Sequence, residues 1–181
     1  EIDSVEDAQY LTTAICSHPT IDDVRLDRCD GDGQGDVNWY DILCTLITSG
    51  KRFTHIDLNN NSIRTDGGTE IPDYLATNPP LKQLRLSNNK LHDDDAILIA
   101  GALKRNTNLK RIELGKNNIT EVGGYSLSKA IYDPSSLNAL SDCNHVCHVF
   151  GIDLGNLPYL AVLRDGASYK RAAKIYRLLS S

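Results

Sequence analysis

Methionine is missing altogether from this 181-residue chain, even at position 1, and the chain holds one tryptophan and two phenylalanines. The missing start reads as a processed form or a piece of something longer. Long apolar runs are lacking as well. A helix needs about 20 apolar residues to cross a bilayer, and the runs here are only a few residues long, so no membrane insertion is expected. No apolar signal segment opens the chain. There is no long Lys/Arg cluster, and the net charge is -5, which argues against nucleic acid as the partner. Cysteine is present but not as a framework. Cys16, Cys29, Cys44, Cys143 and Cys147 are odd in number and irregularly spaced, which favours a reducing intracellular compartment, the cytoplasm or an organelle after cleavage of a targeting peptide. Asn60-Asn61-Ser62 and Asn118-Ile119-Thr120 have the form of glycosylation acceptors, a form that an Asn-rich sequence generates by chance.

What is present is a balance of 40% apolar and 24% charged residues, that of one ordinary domain with a core. Three segments of 28 residues each superimpose without gaps: 53–80, 81–108 and 109–136. They open with Phe53-x-x-Ile56-x-Leu58-x-x-Asn61-x-Ile63, Leu81-x-x-Leu84-x-Leu86-x-x-Asn89-x-Leu91 and Leu109-x-x-Ile112-x-Leu114-x-x-Asn117-x-Ile119. An earlier copy begins Ile21-x-x-Val24-x-Leu26-x-x-Cys29. Later in each unit apolar residues fall at helical spacing: Leu11, Ala14 and Ile15; Leu43, Leu46 and Ile47; Ile71, Tyr74 and Leu75; Ile99, Ala102 and Leu103; Leu127, Ala130 and Ile131. Alternation marks a short strand and the three-and-four spacing marks a helix face, so each unit is strand, loop, helix.

This frame resembles the ribonuclease-inhibitor-type leucine-rich repeats over about residues 11–140. The resemblance implies an α/β right-handed solenoid, a horseshoe arc with parallel strands on the concave face and helices on the convex face. One such unit cannot bury its apolar side alone, so neighbours must stack. The expected organisation is an N-terminal helix over 1–20, four repeats over 21–136, an irregular terminal repeat over 137–154 and a tail with a capping helix over 155–181. Ser4 with Asp7 suggests the first helix's N-cap. Leu137 and Leu140 keep the frame, whereas Asp142 and His145 break it. In the tail, Tyr169, Ala172, Ala173, Tyr176 and Leu179 fall on one helix face and Lys170, Arg171, Lys174 and Arg177 on the other.

In such a solenoid the residues flanking the inward leucines face the concave side: Asp23, Arg25 and Asp27; His55, Asp57 and Asn59; Gln83, Arg85 and Ser87; Arg111, Glu113 and Gly115. They are the expected contacts for a protein partner, with arginines foremost. The first two strands are acidic, while Lys82, Arg85, Lys110, Arg111 and Lys116 tilt the later ones basic.

One loop suggests an ion. Asp30-Gly31-Asp32-Gly33-Gln34-Gly35-Asp36-Val37-Asn38-Trp39-Tyr40-Asp41 resembles an EF-hand calcium loop, with Asp30, Asp32, Gln34, the Asp36 carbonyl and Asp41 as ligands. Against it stand Asp rather than Glu at the last position, neutral Gln34 and a strand where a helix normally precedes. An acidic, Gly-rich turn accounts for the same residues without metal. Its glycines do not fit a dinucleotide loop, and its aspartates would repel a pyrophosphate. Cys143, His145, Cys147 and His148 crowd together, yet zinc sites draw on two separated pairs, so buried thiols are the preferred reading. The motifs G-x-S-x-G, H-E-x-x-H and Walker A are all missing. No enzyme and no obligatory cofactor are expected. The leading reading is a protein-interaction scaffold. Alternatives are a GTPase-activating-type regulator, or a structural subunit comparable to the solenoid of tropomodulin-like proteins that caps actin filaments.

Overall fold

The computed structural model describes residues 2, 4–30 and 36–152. Loop residues 31–35 and the expected tail helix lie outside the described residues. Helix and strand alternate along the chain: α1 (Val5–Ser17), β1 (Asp23–Arg25), α2 (Trp39–Thr48), β2 (His55–Asp57), α3 (Glu70–Ala76), β3 (Gln83–Arg85), α4 (Asp93–Leu103), β4 (Arg111–Glu113), α5 (Glu121–Ile131), α6 (Leu137–Ser141) and β5 (His148–Phe150). The strands form one parallel sheet in chain order, β1-β2-β3-β4-β5. Strand order equal to sequence order means that each helix carries the chain to the adjacent strand, the construction of a solenoid.

The 28-residue frame sets the register. Val24 pairs with Ile56, Ile56 with Leu84, and Leu84 with Ile112. Phe53, Leu58, Leu81, Leu86, Leu109 and Leu114 are fully buried between sheet and helices, and Leu43, Leu46, Leu75, Ile99, Leu103, Leu127 and Ala130 meet them from the helix side. The first unit is less enclosed. Ile21, Leu26 and Cys29 are only partly buried, because β1 has one neighbouring strand among the described residues. Helix α1 packs against α2; it buries Ala8, Thr12 and Ile15, while Ala14, expected inward, is exposed. Ser4 caps it by accepting the Asp7 N–H at 3.0 Å.

Polar ladders tie the turns together. Asn61 Oδ1 accepts from the Cys29 and Asp30 N–H groups at 2.8 and 3.2 Å, and its amide donates to Leu26 O. Asn89 Oδ1 accepts from Asn61 and Ile63 at 3.2 and 2.9 Å and donates to Leu58 O at 3.0 Å. Asn117 accepts from Leu91 at 3.0 Å and donates to Leu86 O at 2.9 Å. Without these amides the bends after the strands would hold buried peptide groups with no partner. The residue before each ladder position lies in the left-handed region: Arg28 (φ 55), Asn60 (φ 60), Asn88 (φ 55) and Lys116 (φ 56). Asparagine tolerates that conformation better than Arg or Lys.

The last repeat departs from the spacing. Leu137 and Leu140, which continue the frame in sequence, belong to α6, and the fifth strand begins at His148. The true register is marked by Asn144. Its Oδ1 accepts from Val146 and Cys147, as Asn106 Oδ1 accepts from Asn108 and Leu109 one turn earlier. Helix α6 is thus an insertion before a strand that still pairs with β4. Just beyond that strand Gly151 (φ 79) lies against Gly115, and a Cβ on either would fall within 3 Å of the other's Cα. Only glycine permits that approach.

Candidate functional site on the sheet face

Three-residue strands in parallel register place the two side chains that flank each buried centre on the open face of the sheet. The alternation yields rows across neighbouring strands: Asp23, His55, Gln83, Arg111 and His148, and beside it Arg25, Asp57, Arg85, Glu113 and Phe150. Asp27, Asn59, Ser87 and Gly115 follow where the strands end. The rows therefore bring together Asp23, Arg25, His55, Asp57, Gln83, Arg85, Arg111 and Glu113 of the residues expected there. They also bring in His148 and Phe150, which the spacing missed because it placed the fifth unit too early.

The charges are mostly paired with one another. Arg25 bonds Asp23 through Nε and Nη2 at 3.1 and 2.9 Å, and this hydrogen bonding lowers the Asp23 pKa. Both groups are largely exposed, so the pair adds little stability. The next group is more enclosed. Arg85 Nη1 donates to Asp57 Oδ2 at 3.0 Å while its Nε lies 3.2 Å from Glu113 Oε1. Arg111 Nε donates to that same Glu113 oxygen at 2.6 Å. The Arg111 guanidinium also lies over the Phe150 ring, 3.8 Å from its centre. Two arginines and two carboxylates thus span β2, β3 and β4, with an aromatic ring on β5 closing the row. Asp57 is buried and also accepts the Asn59 N–H. Asn59 in turn accepts from Ser87 N at 2.7 Å, and Asp27 accepts from Asn60 Nδ2 at 2.6 Å. The side chains of Gln83 and Ser87 have no hydrogen bond among the described residues.

The candidate metal positions are described only in part. Asp32 and Gln34 lie outside the described residues. Asp30 is buried, Asp36 is exposed, and Asp41 is exposed in the first turn of α2. No group of three or more His, Cys, Asp or Glu residues among the described residues is placed to hold a metal ion. Cys143 Sγ bonds the Lys129 and Ala139 carbonyls, each at 3.3 Å, and Cys147 is fully buried, where desolvation pushes its thiol up to about 12. All five cysteines are free. On the helix side, a groove of about 490 Å³ lies between α2 and α3, lined by Ile47, Arg52, Tyr74, Pro79 and Pro80 among others. The Tyr74 hydroxyl is buried without a hydrogen-bond partner among the described residues. No described helix is long and apolar enough to cross a membrane.

Comparison with known proteins agrees with this geometry. The Leucine Rich repeat family profile matches residues 77–100 and 105–128, the segments that carry β3 with α4 and β4 with α5. The tropomodulin C-terminal domain of Caenorhabditis elegans has a similar structure, with TM-score 0.63, 12% identity and 96% of each chain covered. Actin-Binding Site 2 of leiomodin-1 is similar too, with TM-score 0.62, 15% identity, 98% of this chain and 93% of that chain covered. Among curated protein sequences none matches. Identities this low speak for the fold alone, and the fold is that of a leucine-rich-repeat solenoid, with its strands on the concave face and its helices on the convex one.

Proposed function

We propose that this chain is a non-catalytic docking module that receives a protein partner on its concave sheet face. The observation that carries the reading is the row of side chains across five strands, in which the arginines are held in place by neighbours while Gln83 and Ser87 remain uncommitted. Fixed polar groups on an extended curved surface lose little conformational entropy when a partner arrives. The repeat length of 28 residues supports the ribonuclease-inhibitor type for the repeats themselves. Affinity capture from native extract tests the docking reading, comparing wild type with Gln83→Glu/Ser87→Trp and with Leu98→Arg, an exposed position on α4. A partner kept by wild type and Leu98→Arg but lost by the concave pair supports it. Loss by Leu98→Arg alone refutes it.

A second reading is a structural subunit of a filament or similar assembly. The similarity over nearly the whole chain to a domain described as an actin-binding site of leiomodin-1 favours it and nominates actin as the first ligand to try. Cosedimentation with filamentous actin at micromolar concentration, lost in Gln83→Glu/Ser87→Trp, would merge the two readings; absence of cosedimentation would dismiss actin as the assembly. A GTPase-activating role would raise hydrolysis rates across a GTPase panel, and unchanged rates would dismiss it. Calcium in the 30–41 loop would be structural. A calcium-dependent rise in melting temperature in wild type but not in Asp30→Ala/Asp32→Ala supports that assignment, and equal temperatures refute it.

A further inference from the structure

We propose that the C-terminal end of the concave face, centred on Arg111, is the anchor for a Glu or Asp side chain that a protein partner carries next to an apolar residue. The proposal rests on the concave-face docking reading and adds the chemistry of the partner.

A guanidinium has five N–H donors and two flat faces. In Arg111 the Nε–H is taken by Glu113, and one face is covered by the Phe150 ring. The two Nη groups have no partner among the described residues, and the side chain is about 37% exposed. Held along one edge and one face, the remaining fork points away from its supports with its rotamers already selected. An arginine fixed in this way loses less freedom on binding than a free surface arginine, and its paired donors match a carboxylate.

The surroundings favour one negative charge. Glu113 Oε1 is shared by Arg85 and Arg111, at 3.2 and 2.6 Å, and Asp57 takes the other side of Arg85, so Arg111 has only a share of one carboxylate. The parallel register puts Gln83 on one side of Arg111 and His148 on the other. The Gln83 amide, with no hydrogen bond of its own among the described residues, supplies a second donor. Exposed Lys110 precedes β4 and exposed Lys116 follows it, extending the positive field along the same strand. Phe150, 37% exposed, offers an apolar surface beside the fork. A lysine or arginine from a partner would meet like charge here. A phosphate dianion would pair with the fork too, but it would also face Glu113 and buried Asp57, which penalise a second negative charge. A carboxylate next to an aliphatic residue fits the fork, the amide and the ring together.

The test is an NMR titration of the whole chain with acetyl-Ala-Leu-Glu-Ala-amide, alongside versions carrying Gln, Lys or phosphoserine in place of Glu. The Glu peptide is expected to shift the amides of Gln83, Arg111 and Phe150, and the Gln peptide to bind about tenfold more weakly. Arg111→Lys keeps the charge but removes the fork and the stack, and should show a similar loss; its spectrum reports whether the fold is kept. Equal binding of the Gln peptide, tighter binding of the phosphoserine peptide, an Arg111→Lys protein that binds like wild type, or shifts centred on Lys104 and Arg105, the exposed basic pair just after α4, would each overturn the proposal. If the Lys peptide shifts the strand amides instead, the acidic anchor fails while concave docking stands. If the captured partner is indifferent to Gln83→Glu/Ser87→Trp, the docking reading itself fails, whatever the peptides do.

Discussion

Replacing Asn89 with alanine should remove a large part of the stability of this solenoid. The residue is 7% exposed. It accepts the Asn61 and Ile63 N–H groups at 3.2 and 2.9 Å and donates to the Leu58 carbonyl at 3.0 Å. Alanine would leave two donors and one acceptor in the bends of the sheet without partners. A buried group left unsatisfied costs about 1–3 kcal/mol. Relaxation and water entry will recover some of that, so the expected loss is about 3–5 kcal/mol, against a total of about 5–15 kcal/mol for an ordinary domain. The assay is equilibrium urea unfolding at 25 °C, with Asn108→Ala as the comparison. Asn108 also makes two side-chain bonds, to Asn78 O at 3.0 Å and from Lys82 Nζ at 3.3 Å, but water reaches that site. Its loss should be about 0.5–1 kcal/mol. If Asn89→Ala costs less than about 1 kcal/mol, or no more than Asn108→Ala with unchanged slope, the ladder amides are not what satisfies the bends and the reasoning is wrong.

Other outcomes follow from the same structure. Lys116→Asn should stabilise the protein by about 0.5–1 kcal/mol in urea unfolding, because Lys116 holds φ 56, where asparagine is less strained. Asp93 should behave as the cap of the following helix. It accepts from Thr120 N and Gly123 N at 2.7 and 3.0 Å and from Thr120 Oγ1 at 2.6 Å, and the Thr120 bond leads in lowering its pKa. A depressed carboxylate stabilises the fold at neutral pH and loses that contribution as pH falls below its unfolded value of about 4. Asp93→Asn should therefore be less stable than wild type at pH 7, with the gap closing toward pH 3 in parallel thermal melts. Tyr74→Phe should leave stability unchanged or raise it, since it deletes a buried hydroxyl that has no partner among the described residues. A clear loss on denaturation would reveal a bond to that hydroxyl.

The middle of the fold was legible because its repeats have one length and one frame. Leu58, Leu86 and Leu114 recur at identical spacing and are equally buried. The end was harder, because α6 interrupts the frame and Leu137 imitates its opening. The better marker was polar: Asn78, Asn106 and Asn144 each stand three residues before the apolar residue that opens a turn, Leu81, Leu109 and Cys147. Apolar spacing tolerates imitation, whereas an amide that must bond particular peptide groups does not. The concave face shows the same division. Which residues face it follows from alternation, but alternation does not say that Arg85 lies between Asp57 and Glu113 or that Arg111 covers Phe150. Those contacts depend on cross-strand neighbours and chosen rotamers. His148 and Phe150 were lost with the register of the last strand. The loop from Asp30 to Asp41 shows a different limit, for ligand spacing alone cannot separate an ion site from an acidic turn.

The asparagine ladder also has a direction. Asn61 reaches back to Leu26, Asn89 to Leu58 and Asn117 to Leu86, just as Asn106 reaches back to Leu75 and Asn144 to Leu103. Each turn is pinned by the one laid after it, like courses of roof slates. Stripping turns from the N-terminal side removes only what they rested on, and the remaining bends stay closed. Stripping them from the C-terminal side takes away the pins of the turn beneath. Cys29 can stand at a ladder position because no earlier strand among the described residues depends on it. The two ends of this solenoid are therefore not equivalent: shortening from the front and shortening from the back are different operations on the same repeat.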